Sequence, residues 1–209
     1  METKLNQANS DYIRKLGVIQ HSIYGVDIQP IAAEISKLRS FLSLIIDENI
    51  DDNHPDGNRG IEPLPNLEFK FVTANTLIGL EAEKQQVAFD FGETIDLQNQ
   101  LQQLRSNYLQ ASPQEKENLK LQFEKLQTQI YKNELKAGGQ NKRAQQLAAW
   151  KPFSNEGSTW FDPDWMFGVE KFDVVIGNPP YGAKTSTTQK NYFKERYFSA
   201  KTNKKENLK

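Results

Sequence analysis

Phe172-Asp173-Val174-Val175-Ile176-Gly177-Asn178-Pro179-Pro180-Tyr181 is the stretch on which the fold reading turns. Its first five residues form a short apolar run, the pattern of a strand buried in a sheet. Gly177 and the two prolines stop that strand abruptly. In open α/β sheets ligands bind beyond the carboxyl ends of the strands, which is where Asn178, Pro179, Pro180 and Tyr181 fall. An asparagine side-chain oxygen and a proline carbonyl can both accept hydrogen bonds from one exocyclic amino group, and the proline rings keep the acceptors aimed. Engaging both amino hydrogens draws the nitrogen toward tetrahedral geometry and frees its lone pair for attack on an electrophilic carbon. Tyr181 offers a flat face for stacking an extruded ring, worth about 1–3 kcal/mol. The competing reading is a turn in which two prolines merely end a strand. Against it, this tetrapeptide arises by chance in a chain of this length with a probability on the order of 10⁻³.

Upstream, residues 11–21 read as a helix and Ser22 to Asp27 (SIYGVD) as a short buried strand ending in a carboxylate. Pro30 at a first helical turn opens a second helix through Asp47, with Ile31, Ile35, Leu38, Leu42 and Ile45 three and four apart. A loop rich in Pro, Gly, Asn and Asp follows from Asp51 to Pro65. Leu67 to Thr73 (LEFKFVT) alternates like a strand and runs into Ala74-Asn75-Thr76. Strands alternating with helices predict an α/β fold with parallel strands.

An insertion of different character precedes Phe172. Leu97, Leu101, Leu104 and Tyr108 keep a four-three-four spacing, as do Leu119, Phe123, Leu126 and Ile130. Ser112-Pro113-Gln114-Glu115 has the capping-box pattern, and Gly138-Gly139 supplies a stop. This predicts an antiparallel helical hairpin whose apolar stripe is a structural seam. The aromatic segment Trp150 to Phe167 packs it back onto the sheet or forms a partner surface. The expected division is 1–80, 81–170 for the helical insertion, and 171–209 for the Asn178 strand, its loop and a basic end.

The charge balance, 26 basic against 27 acidic residues, does not by itself suggest a nucleic-acid partner. Its distribution is uneven, since Lys184 to Lys209 holds eight basic and two acidic residues. That end is locally attractive to phosphate, or is a solvated tail. Within it, Lys190, Lys194 and Arg196 are candidate backbone contacts, while Tyr192, Phe193 and Tyr197 suit packing of a helix. There is no cysteine, and His21 and His54 stand in unrelated settings, so no metal site is expected. No apolar run approaches the ~20 residues of a membrane span and no secretion signal precedes the first helix, so a cytoplasmic protein without membrane contact is expected.

Asn178 to Tyr181 resemble, residue by residue, the catalytic Asn-Pro-Pro-Tyr motif of class I amino-methyltransferases, and most closely the N6-adenine DNA methyltransferase part of type IIG restriction-modification enzymes. The resemblance extends to Tyr24-Gly25-Val26-Asp27-Ile28-Gln29-Pro30 and the run Ile23 to Leu44, and to a long helical insertion before the catalytic motif. It implies a partial Rossmann-like sheet with an inserted helical hairpin. It further implies S-adenosylmethionine as cofactor, with Asp27 on the ribose hydroxyls, Ile28 beside it and Asn75 near the adenine, where many members carry aspartate. The implied partner is double-stranded DNA with a flipped adenine. The glycine-rich first cofactor motif of the family is not found in residues 1–22, where Gly17 stands alone. The chain is therefore expected to be a fragment of a split or longer restriction-modification polypeptide, poorly active alone. Two alternatives stay open: a methyltransferase acting on RNA or on protein glutamine, and a non-catalytic interaction module built on the hairpin Asp96 to Lys136.

Overall fold

The computed structural model describes residues 2–48, 51–55, 59, 64–81, 91–136, 142–154, 156–178 and 186–197. Their elements run α1 (Glu2–His21), β1 (Gly25–Asp27), α2 (Pro30–Ile45), β2 (Phe71–Thr73), α3 (Phe91–Leu109), α4 (Pro113–Lys136), α5 (Lys142–Ala149), α6 (Pro163–Phe167) and α7 (Thr187–Arg196). The class is mixed α/β, mostly helical with one parallel strand pair in the register Gly25 to Phe71, Val26 to Val72 and Asp27 to Thr73. Parallel strands need a crossover rather than a tight turn, and α2 supplies it. Residues 1–170 form one unit and residues 171–209 a second.

Both expected strands of the first unit are shorter than their sequence patterns. In Leu67 to Thr73 only Phe71–Thr73 pairs, because the Lys70 and Phe71 N–H groups both donate to the Leu67 carbonyl, each at 3.0 Å, and close a turn over the first half. Leu67, Phe69 and Phe71 are buried all the same. In Ser22 to Asp27 the strand is Gly25–Asp27, since the Ser22 and Ile23 N–H groups still bond back to the Val18 carbonyl at the end of α1. Gly25 is where Phe71 closes on β1: a Cβ there would lie 2.6 Å from the Phe71 ring. The pairing register therefore depends on a residue without a side chain.

The apolar stripe of α2 does not face the core. Ile31, Ile35, Leu38, Leu42 and Ile45 are about half exposed or more, whereas Ala33 and Leu44 are buried and Phe41 packs against the core. That core joins Tyr12 and Ile19 of α1, Leu44 of α2, Leu67 and Phe71. Each large apolar side chain removed from water contributes about 1.5–3 kcal/mol.

Helices α3 and α4 pack along each other as the expected hairpin, burying Leu101, Leu104 and Tyr108 with Phe123, Leu126 and Ile130. The capping box forms: the Ser112 N–H and hydroxyl donate to one Glu115 oxygen at 2.9 and 2.7 Å. Those bonds hold the exposed Glu115 carboxyl below the usual carboxylate range. Gly138-Gly139 lies outside the described residues. Asn66 ties the hairpin to the strand region by donating from Nδ2 to the carbonyls of Tyr108 and Ala111 at 2.8 and 2.9 Å, satisfying acceptors that a helix end leaves open. An aromatic cluster around Phe69 takes in Tyr108, Phe123, Trp150 and Phe153, with ring centroids 5.4 to 6.2 Å from it. The segment Trp150 to Phe167 thus packs the hairpin onto the strand region.

The second unit carries a correction. Phe172 to Ile176 is not a strand, and Val174, Val175 and Ile176 are 74, 81 and 92% exposed. A parallel strand exists only through its neighbour, and the described sheet ends at two strands. Helix α7 opens with a capping box between Ser186 and Gln189, and its Phe193 lies near Tyr192 and Tyr197 with ring centroids 5.9 and 6.1 Å away.

Candidate functional site

The register of β1 and β2 sets their carboxyl ends level, so Asp27-Ile28 and Ala74-Asn75 leave the pair side by side. The Ala74 N–H extends the pairing by donating to the Asp27 carbonyl at 2.9 Å. Asp27 is exposed, and its Oδ1 accepts from the Gln29 N–H at 2.8 Å, a short turn that holds the carboxylate at the strand end. Among the described residues nothing donates to Oδ2. Ile28 is 66% exposed beside it, and Pro30 opens α2 from the same end. Asn75 is held on three sides: its N–H donates to the Ser158 carbonyl at 3.0 Å, its carbonyl accepts from Ile78 at 3.2 Å, and its Oδ1 accepts from the Leu77 N–H at 3.1 Å. Its side-chain oxygen is therefore used by its own turn, and Nδ2 is the group it can offer outward.

A third piece of chain closes this end, one that no pattern in the sequence marks. The Ser158 N–H donates to the Thr73 carbonyl at 2.8 Å, so residues around Ser158 run parallel to β2, and Phe161 repeats the contact at Ile78. Trp160 anchors the segment, with a fully buried ring whose Nε1–H donates to the Gln146 carbonyl at 3.0 Å. The polar run Glu156-Gly157-Ser158-Thr159 carries no strand pattern, and the available signal is the aromatic pair Trp160-Phe161 that follows it.

The amino ends of the strands are electrostatically different. Lys70 and Tyr24 directly precede β2 and β1, and the Lys70 ammonium sits 3.7 Å from the centroid of the Tyr24 ring. Burial pushes Lys70 down to about 8 and Tyr24 up, the latter partly offset by Arg105. Arg105 is itself lowered to about 10 by burial, against the pull of Asp164 and Tyr24. These perturbed groups belong to the packed end, away from Asp27 and Asn75.

Of the residues singled out in the sequence, Asp27, Ile28 and Asn75 come together. Asn178 is exposed and lies in the second unit, in a stretch without regular secondary structure. Pro179, Pro180 and Tyr181 lie outside the described residues. Among the described residues no group of three or more His, Asp or Glu side chains is placed to hold a metal ion, and no helix is long and apolar enough to cross a membrane.

Comparison with known proteins matches residues 21–208 to the model of the Eco57I restriction-modification methylase family, a span that contains Asp27, Asn75, the hairpin and Asn178 to Tyr181. The chain belongs to this family. A relative in Methanocaldococcus jannaschii, named "Putative type II restriction enzyme and methyltransferase", is 30% identical over 245 residues of alignment, covering 88% of this chain and 20% of the relative. The chain thus spans about a fifth of the length of the curated relative it matches. No solved structure matches it.

Proposed function

We propose that this Eco57I-family chain is part of a catalytic domain that transfers a methyl group from S-adenosylmethionine to the exocyclic amino group of adenine in DNA, within a restriction-modification system. One observation carries the reading: the parallel register that brings Asp27 and Asn75 to one end of the strand pair, with Asp27 held by Gln29 through a single carboxylate oxygen. A carboxylate so fixed is a ready acceptor for the two hydroxyls of a ribose. The residues present fit a nucleoside. Asp27 would hold the ribose, Ile28 would lie against the ring, and Asn75 would donate from Nδ2 to a ring nitrogen. When bound, S-adenosylmethionine supplies a methyl group activated by a positively charged sulfur.

On the acceptor side, the Asn178 side-chain oxygen and the Pro179 carbonyl take the two hydrogens of the target amino group. Pro180 fixes the turn, and Tyr181 stacks on the flipped base. The amino nitrogen so held would present its lone pair to the methyl carbon; the new N–C bond would form as the C–S bond breaks, with a neutral thioether as leaving group, and one of the two amino protons would pass to water. The same reading makes the two described strands part of a larger Rossmann-like sheet, assigns residues 81–170 as an insertion, and places the enzyme in the cytoplasm on double-stranded DNA.

Calorimetric titration with S-adenosylmethionine, on the chain and on Asp27→Ala, tests the cofactor half. Loss of hydrogen bonds to a charged acceptor, about 1.5–3 kcal/mol each, predicts at least a tenfold weakening. Equal binding by the variant refutes the assignment of Asp27. Transfer of labelled methyl to duplex DNA, to RNA and to a glutamine peptide then separates the acceptors, with Asn178→Ala expected to abolish transfer while leaving cofactor affinity unchanged.

A further inference from the structure

Gly157 lies where the three chain segments of the candidate site converge. A Cβ built on it would stand 2.9 Å from Thr73 Cγ2, 3.8 Å from Thr73 Cβ and 3.9 Å from the Ile28 carbonyl oxygen. It therefore touches the end of β2 and the residue that follows β1 together. Its neighbour Ser158 fixes the segment from both directions, donating to the Thr73 carbonyl and accepting from the Asn75 N–H. The Ser158 hydroxyl bonds the Trp160 carbonyl at 2.7 Å, and the buried Trp160 ring is pinned to Gln146, so the segment cannot easily retreat.

We propose that Gly157-Ser158 is the third wall of the cofactor site and that Gly157 is a positioning residue, needed because only a residue without a side chain leaves Thr73, Asn75 and Ile28 in register. This rests on the reading of Asp27 and Asn75 as nucleoside-binding residues and adds to it a segment that neither strand contains. An alanine at 157 cannot be absorbed by swinging a long side chain aside, because the atom it meets is a methyl on the branched Thr73. Opening the contact from 2.9 Å to an ordinary 3.4 Å moves the wall or β2 by about half an ångström. That is the tolerance within which binding constellations must be held.

The test is a cycle of three variants of the full chain, Gly157→Ala, Thr73→Ser and the double variant, each titrated with S-adenosylmethionine and melted without it. Thr73→Ser keeps the hydroxyl and removes the methyl that the new Cβ would strike. The expected result is about a tenfold rise in Kd for Gly157→Ala, little change for Thr73→Ser, and recovery in the double variant, whose relieved contact also secures its folding. A Gly157→Ala protein that binds like the parent overturns the proposal, as does a double variant that folds and still binds weakly. If Asp27→Ala weakens binding while Gly157→Ala does not, the cofactor site stands and the third wall falls. If the parent chain binds no S-adenosylmethionine, the cofactor reading falls and takes the wall with it.

Discussion

Lys70 makes a prediction about stability that needs no assumption about function. The residue is 7% exposed, with its ammonium over the Tyr24 ring. Burial lowers its pKa from 10.5 to about 8. At about 1.4 kcal/mol per pH unit, carrying the charge into the fold costs roughly 3 kcal/mol. The cation–π contact with the Tyr24 ring works against that cost. The sign follows directly. Below pH 8 both folded and unfolded chains carry the proton and the full penalty applies; above 10.5 neither does and it vanishes. Stability should therefore rise between pH 8 and about 10, beyond which the raised Tyr24 begins to act in the opposite direction. Lys70→Met keeps the length of the stem and removes the charge. It should stabilise the chain by roughly 2 kcal/mol at pH 7, or about 4–8 °C in Tm, with the gain shrinking through the same window. Urea denaturation of both proteins at half-unit steps from pH 7 to 10 measures this. Parallel pH profiles for parent and Lys70→Met would falsify the assignment, because nothing removed by methionine would then titrate.

Two further substitutions test the supports of the candidate site. Trp160→Phe removes the Nε1–H bond to Gln146 and part of a fully buried ring. It should cost about 2–3 kcal/mol in denaturant unfolding, and an unchanged midpoint would mean that the Ser158 segment is not anchored through Trp160. Ser112→Ala dissolves the capping box at the start of α4 and should cost about 1 kcal/mol. The loss should be read as a lower Tm with S-adenosylmethionine affinity intact; a parallel drop in affinity would show that the hairpin reaches the site.

What sequence conveyed depended on how local the determining interactions are. The hairpin was legible because both its seam and its cap lie within a few residues: Leu101, Leu104 and Tyr108 repeat at helical spacing, and Ser112 finds Glu115 three positions on. Strand lengths were not, because alternation in Leu67 to Thr73 buries Leu67, Phe69 and Phe71 equally well in a turn followed by three strand residues. The stripe on α2 misled for a related reason. Periodicity marks a helix, but the face that meets β1 and β2 is chosen by the crossover geometry, and that face presents Ala33 and Leu44 rather than the row of isoleucines and leucines. Phe172 to Ile176 reads as a strand, yet a strand forms only against a partner edge, which an apolar run does not specify, and in the second unit Val174, Val175 and Ile176 stand exposed.

The candidate site divides along the same line. Asp27 was readable because a carboxylate ending a short apolar strand, followed by Pro30, announces a strand-to-helix turn, and the turn that forms engages one of its oxygens. Asn75 was readable by position and less by chemistry, since its side-chain oxygen serves Leu77, leaving the amide nitrogen as the outward group. Gly157 and Ser158 could not be found this way. Their importance arises from contact with Thr73, more than eighty positions earlier in the chain, and a glycine in a polar loop carries no mark of what it touches. Such positions become visible only when the neighbours are in place, and it is the absence of a side chain, measured against a methyl at 2.9 Å, that identifies this one. Substitutions at long-range contacts of this kind are where binding and folding should separate: Asp27→Ala strikes a proposed ligand group directly, whereas Gly157→Ala moves the frame that holds it, and only the second can be repaired by trimming Thr73.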